Sequence, residues 1–198
     1  MEHLIKPTYR GGEYLPPRDI LFTDRKIFFT GEVNSESCDN LIKNLMALDA
    51  ESDKESDKET ITIFLNSNGG DVMSGLAAYD VIQTLRSPVR TVVLGAAYSM
   101  GAILFLAGQK REIYEHGRIM IHDPSYSSGD ITGKKPHEIQ RQVDNLMETR
   151  NILAKIISET TGKELSEVLE ETREDRYYNA EEALKAHLAT NIIKPERK

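Results

Sequence analysis

A chain of 198 residues with 25 Lys and Arg against 32 Asp and Glu has a formal net charge of −7 and no local basic cluster, which argues against nucleic acid as a partner. The single cysteine, Cys38, excludes an internal disulfide and a cysteine-built metal cluster, so a reducing cytoplasm is the expected home and no metal or cofactor is expected. The length suits one domain with its own core, and residues 1–198 are read as one.

Residues 1–25, with Pro7, Gly11, Gly12, Pro16 and Pro17, read as an irregular N-terminal arm without a signal-peptide pattern, leading to a short strand from Lys26 to Phe29. Ser35 is the expected N-cap of a helix whose apolar residues Cys38, Leu41, Ile42, Leu45, Met46 and Leu48 recur at helical spacing. Glu-Ser-Asp-Lys then occurs twice in succession within a charged tract, read as a solvated loop. Ile61 to Leu65 is a strand apolar on both faces, followed by the turn Asn66-Ser67-Asn68-Gly69-Gly70-Asp71 and a helix bearing Ala78, Val81, Ile82 and Leu85.

Residues 91–109 carry no charge, and their length approaches that of a membrane span. The β-branched opening Thr91-Val92-Val93, Gly95, and the polar Tyr98 and Ser99 instead predict a buried strand, a turn and a buried helix, and no membrane. Strand, glycine-bearing turn and helix thus occur twice, which predicts an α/β fold with a largely parallel sheet. Residues 111–121 read as β-turn-β with Gly117 at the turn. A Ser- and Gly-rich loop leads into a long helix ended by Gly162, and two shorter helices bracket an extended piece at 176–178.

Chemistry concentrates at the turns. Gly69-Gly70 alone reads as a tight turn, but at the end of a strand before a helix its backbone N–H groups are unobstructed by side chains. Ser99, between a buried strand and a buried helix, is either an N-cap or a nucleophile, with the N–H of Met100 aimed where an oxyanion forms. Of the five histidines only His122 closes an apolar strand, Ile119-Met120-Ile121. Twelve aspartates compete for the group that would hold its tautomer. Asp123 is adjacent but aims away from the ring along a strand, whereas Asp175 precedes the extended piece within the charged run 173–176.

The motifs Asn66-Ser67-Asn68-Gly69-Gly70, Ala97-Tyr98-Ser99-Met100-Gly101, Ile119-Met120-Ile121-His122-Asp123-Pro124 and Glu174-Asp175-Arg176, the last followed by Ala180-Glu181-Glu182-Ala183, resemble in order and spacing the proteolytic subunits of the ClpP family from about Ile27 to about Ile193. That resemblance implies a serine endopeptidase with Ser99 as nucleophile, His122 as general base, Asp175 as orienting acid and the amides of Gly70 and Met100 as oxyanion hole. It implies the ClpP/crotonase-like spiral of β-β-α units with a protruding handle at 124–160, whose first part packs two heptameric rings together. Peptide substrate would lie extended along Gly69, Asp71, Ser125 and Tyr126, and a hexameric AAA+ unfoldase is the implied partner. The chain departs from the family at Asn68, where proline is usual, at Asp123, where glutamine is usual, in the longer acidic tract at 51–59, and in an arm with Pro16-Pro17 in place of Arg-Gly-Glu-Arg. Two competing expectations share the fold: a catalytically silent chamber-wall subunit and a crotonase-like acyl-CoA enzyme. An α/β-hydrolase is opposed by Ala97, where glycine is needed, and by the order Ser99, His122, Asp175.

Overall fold

The computed structural model describes residues 8–10, 13–51, 59–125 and 133–195. The arm is less irregular than its prolines suggest. β1 (Thr8–Arg10) and β2 (Glu13–Leu15) pair antiparallel, and α1 (Pro17–Thr23) follows. Pro17 occupies the first turn of α1, where a missing N–H costs nothing and φ is already helical, so the Pro-Pro pair starts a helix instead of preventing one.

The main sheet holds β3 (Lys26–Val33), β4 (Ile61–Gly70), β5 (Val89–Tyr98), β6 (Lys110–Tyr114) and β9 (Asn191–Ile193) in the order β3-β4-β5-β6-β9, every neighbouring pair parallel. Between successive strands run α2 (Ser35–Glu51), α3 (Val72–Thr84) and α4 (Met100–Leu106), as the repeated strand-helix pattern predicts for an α/β fold. Asn34, one residue before the expected cap, accepts from the Ser37 N–H at 2.9 Å and starts α2. Cys38, Leu41, Leu45 and Leu48 of α2 are buried, while Met46 is exposed. Every residue of α4 is buried, so the uncharged run at 91–109 is a core strand and a core helix. Among the described residues no helix is long and apolar enough to cross a membrane.

Two features of β4 and β5 correct the simple strand-turn-helix reading. β4 runs on through Gly70, so Asn66 to Gly70 is strand, not turn. The β4–β5 register jumps from Leu65↔Val93 to Ser67↔Ala97, and the Asn66 side chain accepts the Ala96 N–H at 3.0 Å across that bulge. β6 and β7 (Arg118–Ile121) form the expected β-turn-β, but they do not pair with each other. Both lie parallel to β5, β6 along residues 90–93 and β7 along 96–98, and the turn between them is closed by Gly117, whose N–H donates to the Tyr114 carbonyl at 2.8 Å. A Cβ at Gly117 would stand 2.6 Å from Ile113 Cγ1, so the turn requires glycine.

The chain closes with α5 (Pro136–Thr161), α6 (Leu165–Glu171), β8 (Arg176–Asn179), α7 (Ala180–Lys185) and β9, and Gly162 ends α5 at φ 76° as expected. No residue of α5 before Leu153 is buried, whereas Leu153, Ala154, Ile156 and Ile157 join the core, so the helix leaves the body at its N-terminal end. Of the charged tract 49–60 read as a loop, residues 49–51 complete α2, and residues 52–58, like 126–132 of the Ser- and Gly-rich loop at 124–136, lie outside the described residues.

β9 is tied to β6 by a buried charge. Glu112, 3% exposed, accepts from Arg90 Nε at 2.6 Å, Asn191 Nδ2 at 2.9 Å and Lys110 Nζ at 3.1 Å. Burial pushes its pKa up, but the donors Asn191, Arg90 and Lys110 outweigh burial and leave it below the ordinary 4.5. A depressed folded pKa gives stability that is present above the unfolded value and lost as pH falls through the folded one. Glu112→Gln is therefore expected to cost about 2 kcal/mol at neutral pH. It should also flatten the fall of Tm below pH 4.5, as read by thermal melts across that range.

Candidate active site

β5 ends at Tyr98 and α4 begins at Met100, leaving Ser99 alone on a sharp corner with φ 52° and ψ −123°. A non-glycine residue there carries about 1–3 kcal/mol of backbone strain, which the surrounding structure must impose. It is imposed from both sides. The Ser99 N–H donates to the Met120 carbonyl of β7 at 2.8 Å, and the Ser99 carbonyl accepts from Ala102 N at 2.9 Å and Ile103 N at 3.3 Å. Those carbonyl bonds start α4 without the hydroxyl, which makes no capping bond. The Ser99 Oγ is instead 2.8 Å from His122 Nε2.

His122 is the first residue beyond β7, and its Nδ1 is 3.2 Å from Asp175 Oδ1. The sheet explains how an aspartate 53 residues away reaches it. β8 runs antiparallel to β7 with Ile121 opposite Arg176, so one step further along the pair Asp175 falls opposite His122. With Nδ1 protonated toward Asp175, Nε2 is the acceptor for the Ser99 hydroxyl, the tautomer a general base needs. The bend before β8 is fastened by Glu171, which accepts from Lys163 Nζ at 2.5 Å and from the Tyr178 hydroxyl. Burial raises the carboxyl's pKa, but Lys163 and Tyr178 lower it further, and the same burial and carboxylate push the Tyr178 hydroxyl upward.

The glycine strand lies against the serine corner. Gly69 and Gly70 have φ 92° and 147°. A Cβ on Gly69 would be 2.7 Å from the Tyr98 carbonyl, 2.8 Å from Ser99 Cβ and 3.0 Å from Met100 N, and one on Gly70 would be 2.2 Å from the Val33 carbonyl. A glycine at 69 lets β4 approach Ser99 and Met100 this closely, and one at 70 lets it lie against β3. Beside Ser99 and His122 an apolar cleft is lined by Val72, Met100, Ile103, Pro124, Leu153 and Ile157. Leu153 and Ile157 are contributed by α5; their i, i+4 spacing is visible in the sequence as a helical stripe, but not which site the stripe meets.

Of the residues expected along a substrate, Asp71 is the N-cap of α3. Its carboxylate accepts from Ser74 N at 2.7 Å, and that hydrogen-bonding to Ser74 lowers its pKa. Ser125 is exposed just beyond Pro124, and Tyr126 lies outside the described residues. Among the described residues no group of histidine, cysteine and carboxylate side chains is arranged to hold a metal.

Comparison with known proteins agrees with this geometry. The Clp protease family model matches residues 11–196, starting within the arm and so earlier than the motif resemblance alone. The ATP-dependent Clp protease proteolytic subunit 2 of Chlamydia pneumoniae is 34% identical over 193 residues, covering 96% of this chain and 91% of that protein. The ATP-dependent Clp protease proteolytic subunit of Carsonella ruddii is 32% identical over 193 residues, covering 96% and 94%. Its counterpart in Borreliella afzelii is 35% identical over 175 residues, covering 87% and 85%. Similarity of this extent, over a chain whose serine, histidine and aspartate meet at one corner of a parallel sheet, means that the chain belongs to the Clp protease family.

Proposed function

We propose that this chain is a serine endopeptidase that cleaves peptides and unfolded polypeptides inside a chamber assembled from its own copies. The observation that carries the reading is the continuous line from Asp175 through His122 to Ser99, with gaps of 3.2 Å and 2.8 Å. Ser99 Oγ attacks the carbonyl carbon of the scissile bond while His122 Nε2 takes its proton, and Asp175 stabilises the imidazolium that forms. The carbonyl oxygen, now an anion, is received by the N–H groups of Gly70 and Met100. His122 gives its proton to the amide nitrogen, the C–N bond breaks, and the amine leaves an acyl group on Ser99. A water deprotonated by His122 then releases the acid and restores the hydroxyl.

Gly69 and Ser125 flank an extended substrate held by its main chain. Main-chain recognition discriminates little, so selectivity is supplied by enclosure in stacked heptameric rings. Val143, Met147 and Ile152, between 43% and 47% exposed on α5, are the surface for ring-to-ring contact. The names of the relatives, ATP-dependent proteolytic subunits, support an ATP-driven partner, which we take to be an AAA+ unfoldase; the cytoplasm is the proposed place of work, since a single cysteine can form no internal disulfide.

Particle mass with electron microscopy tests the chamber, and labelling with a fluorophosphonate tests the chemistry. Ser99 is the expected site of labelling in assembled particles. Assembled particles that resist labelling would identify a silent chamber wall, and calorimetric binding of a short acyl-CoA would identify crotonase-like chemistry.

A further inference from the structure

The residue after the histidine is bound into a network that none of the catalytic steps above uses. The Asp123 carboxylate is bound to Arg150 and Thr172, and the imidazole to Ser99 and Asp175. Its Oδ2 accepts from Arg150 Nε of α5 at 2.6 Å, and its Oδ1 accepts from the Thr172 hydroxyl at 2.7 Å. The Asp123 N–H donates to the Thr172 carbonyl at 2.6 Å, and the other end of the Arg150 guanidinium donates to the Leu169 carbonyl at 2.5 Å. Thr172 is only 3% exposed and the Asp123 and Arg150 side chains are largely shielded, at 28% and 18%. Charged hydrogen bonds in such surroundings are stronger and more directional than at an open surface.

The members of this network are the immediate neighbours of the reacting groups. Asp123 adjoins His122, Thr172 lies just ahead of Asp175, and Arg150 sits one turn before Leu153, which lines the apolar cleft. Three separate pieces of chain therefore meet on one carboxylate: the end of β7, the bend between α6 and β8, and the helix that leaves the body. The His122–Asp175 gap is 3.2 Å and the Asp175 side chain is 56% exposed, so their own contact is a weak restraint on their separation.

We propose that Asp123 is a positioning residue: through Thr172 and Arg150 it holds the strand end carrying His122 at a fixed distance from the bend carrying Asp175, and couples both to α5. This rests on the triad reading. Misplacement of a catalytic base by about 1 Å is enough to cost up to a hundredfold in rate. A neutral side chain at this position would offer Arg150 no ionic partner.

The test measures peptide hydrolysis and the rate of fluorophosphonate labelling of Ser99 in full-length, assembled variants. Asp123→Ala and Arg150→Gln are each expected to lower kcat and labelling about tenfold with KM within about twofold, and the double variant to be no slower than the worse single. Asp123→Asn, which keeps an acceptor for Thr172, should recover part of the loss. Asp175→Asn is expected to lose about a hundredfold or more, and adding Asp123→Ala to it should cost less than about twofold further, because the geometry being held has lost its purpose. A merely structural role predicts full multiplication of the two losses, and that result would overturn the proposal. So would Arg150→Gln at the wild-type rate, a variant that leaves the residues flanking His122 unchanged and carries the test if Asp123→Ala does not assemble. An Asp175→Asn enzyme as fast as wild type would overturn the triad itself, and the positioning role with it.

Discussion

Ser99→Ala is expected to abolish peptide hydrolysis, lowering kcat by about 10⁴–10⁶-fold, and to remove fluorophosphonate labelling altogether. The size follows from the proposed role: with the Ser99 oxygen as the atom that bonds to the substrate carbon, its loss leaves only binding and oxyanion stabilisation, which retain a small rate over water. The fold should survive. Ser99 is held at positive φ by its own N–H on Met120 and its carbonyl on Ala102 and Ile103, none of which involves the hydroxyl. Alanine carries the same Cβ through the same conformation, so particle mass and Tm should match the wild type. His122 loses one hydrogen-bond partner, but the ring is 26% exposed and water replaces it. A Ser99→Ala protein that hydrolyses peptides at more than about 1% of the wild-type rate would show that another group attacks the carbonyl.

How much of this is written in the sequence depends on the range of the interaction that carries each part. The uncharged run at 91–109 is legible because composition alone decides it: β-branched residues first, Gly95 within, and small and aliphatic residues after Ser99. His122 at the end of Ile119-Met120-Ile121 is legible for the same local reason. Asp175 is not. Its place beside His122 comes from the β7–β8 register, a pairing of segments far apart in sequence, and nothing in residues 173–176 distinguishes it from its charged neighbours without that register.

Asp123 divides the same way. Alternation along a strand predicts that it points away from the ring, but its partners, Arg150 and Thr172, are set by how α5 and α6 pack. The misreadings have matching causes. Pro16-Pro17 reads as part of an irregular arm, yet proline at the first helical position starts α1, which only the chain that follows decides. The β-turn-β at 111–121 is legible from Gly117, but that each of its strands pairs a different stretch of the ten-residue β5 is set by packing over long range. β9, three residues long, leaves no periodicity to detect.

The two glycines at the end of β4 should be the least replaceable residues of the site after its reacting groups. An alanine Cβ at Gly70 would stand 2.2 Å from the Val33 carbonyl and 3.0 Å from the carbonyl carbon, both backbone atoms of the paired strand β3. Neither atom can swing aside like a side chain, so β3 and β4 must part, and the donor proposed for the oxyanion moves with them. Gly69→Ala would press instead on the Tyr98 carbonyl, Ser99 Cβ and Met100 N, the corner proposed to carry the nucleophile and the second donor. Each substitution is expected to lower kcat by about 10²–10³-fold, the effect of losing one oxyanion donor. Each should also destabilise the chain by about 3 kcal/mol through clash and unfavourable φ together. Gly31→Ala separates these causes, since Gly31 has φ 95° but open space where the Cβ would go. It should cost only about 1 kcal/mol of strain and leave kcat unchanged. Thermal melts and peptide kinetics on the three variants decide the matter. If Gly69→Ala behaves like Gly31→Ala in both measurements, the close approach of β4 to the serine corner is not what shapes the site.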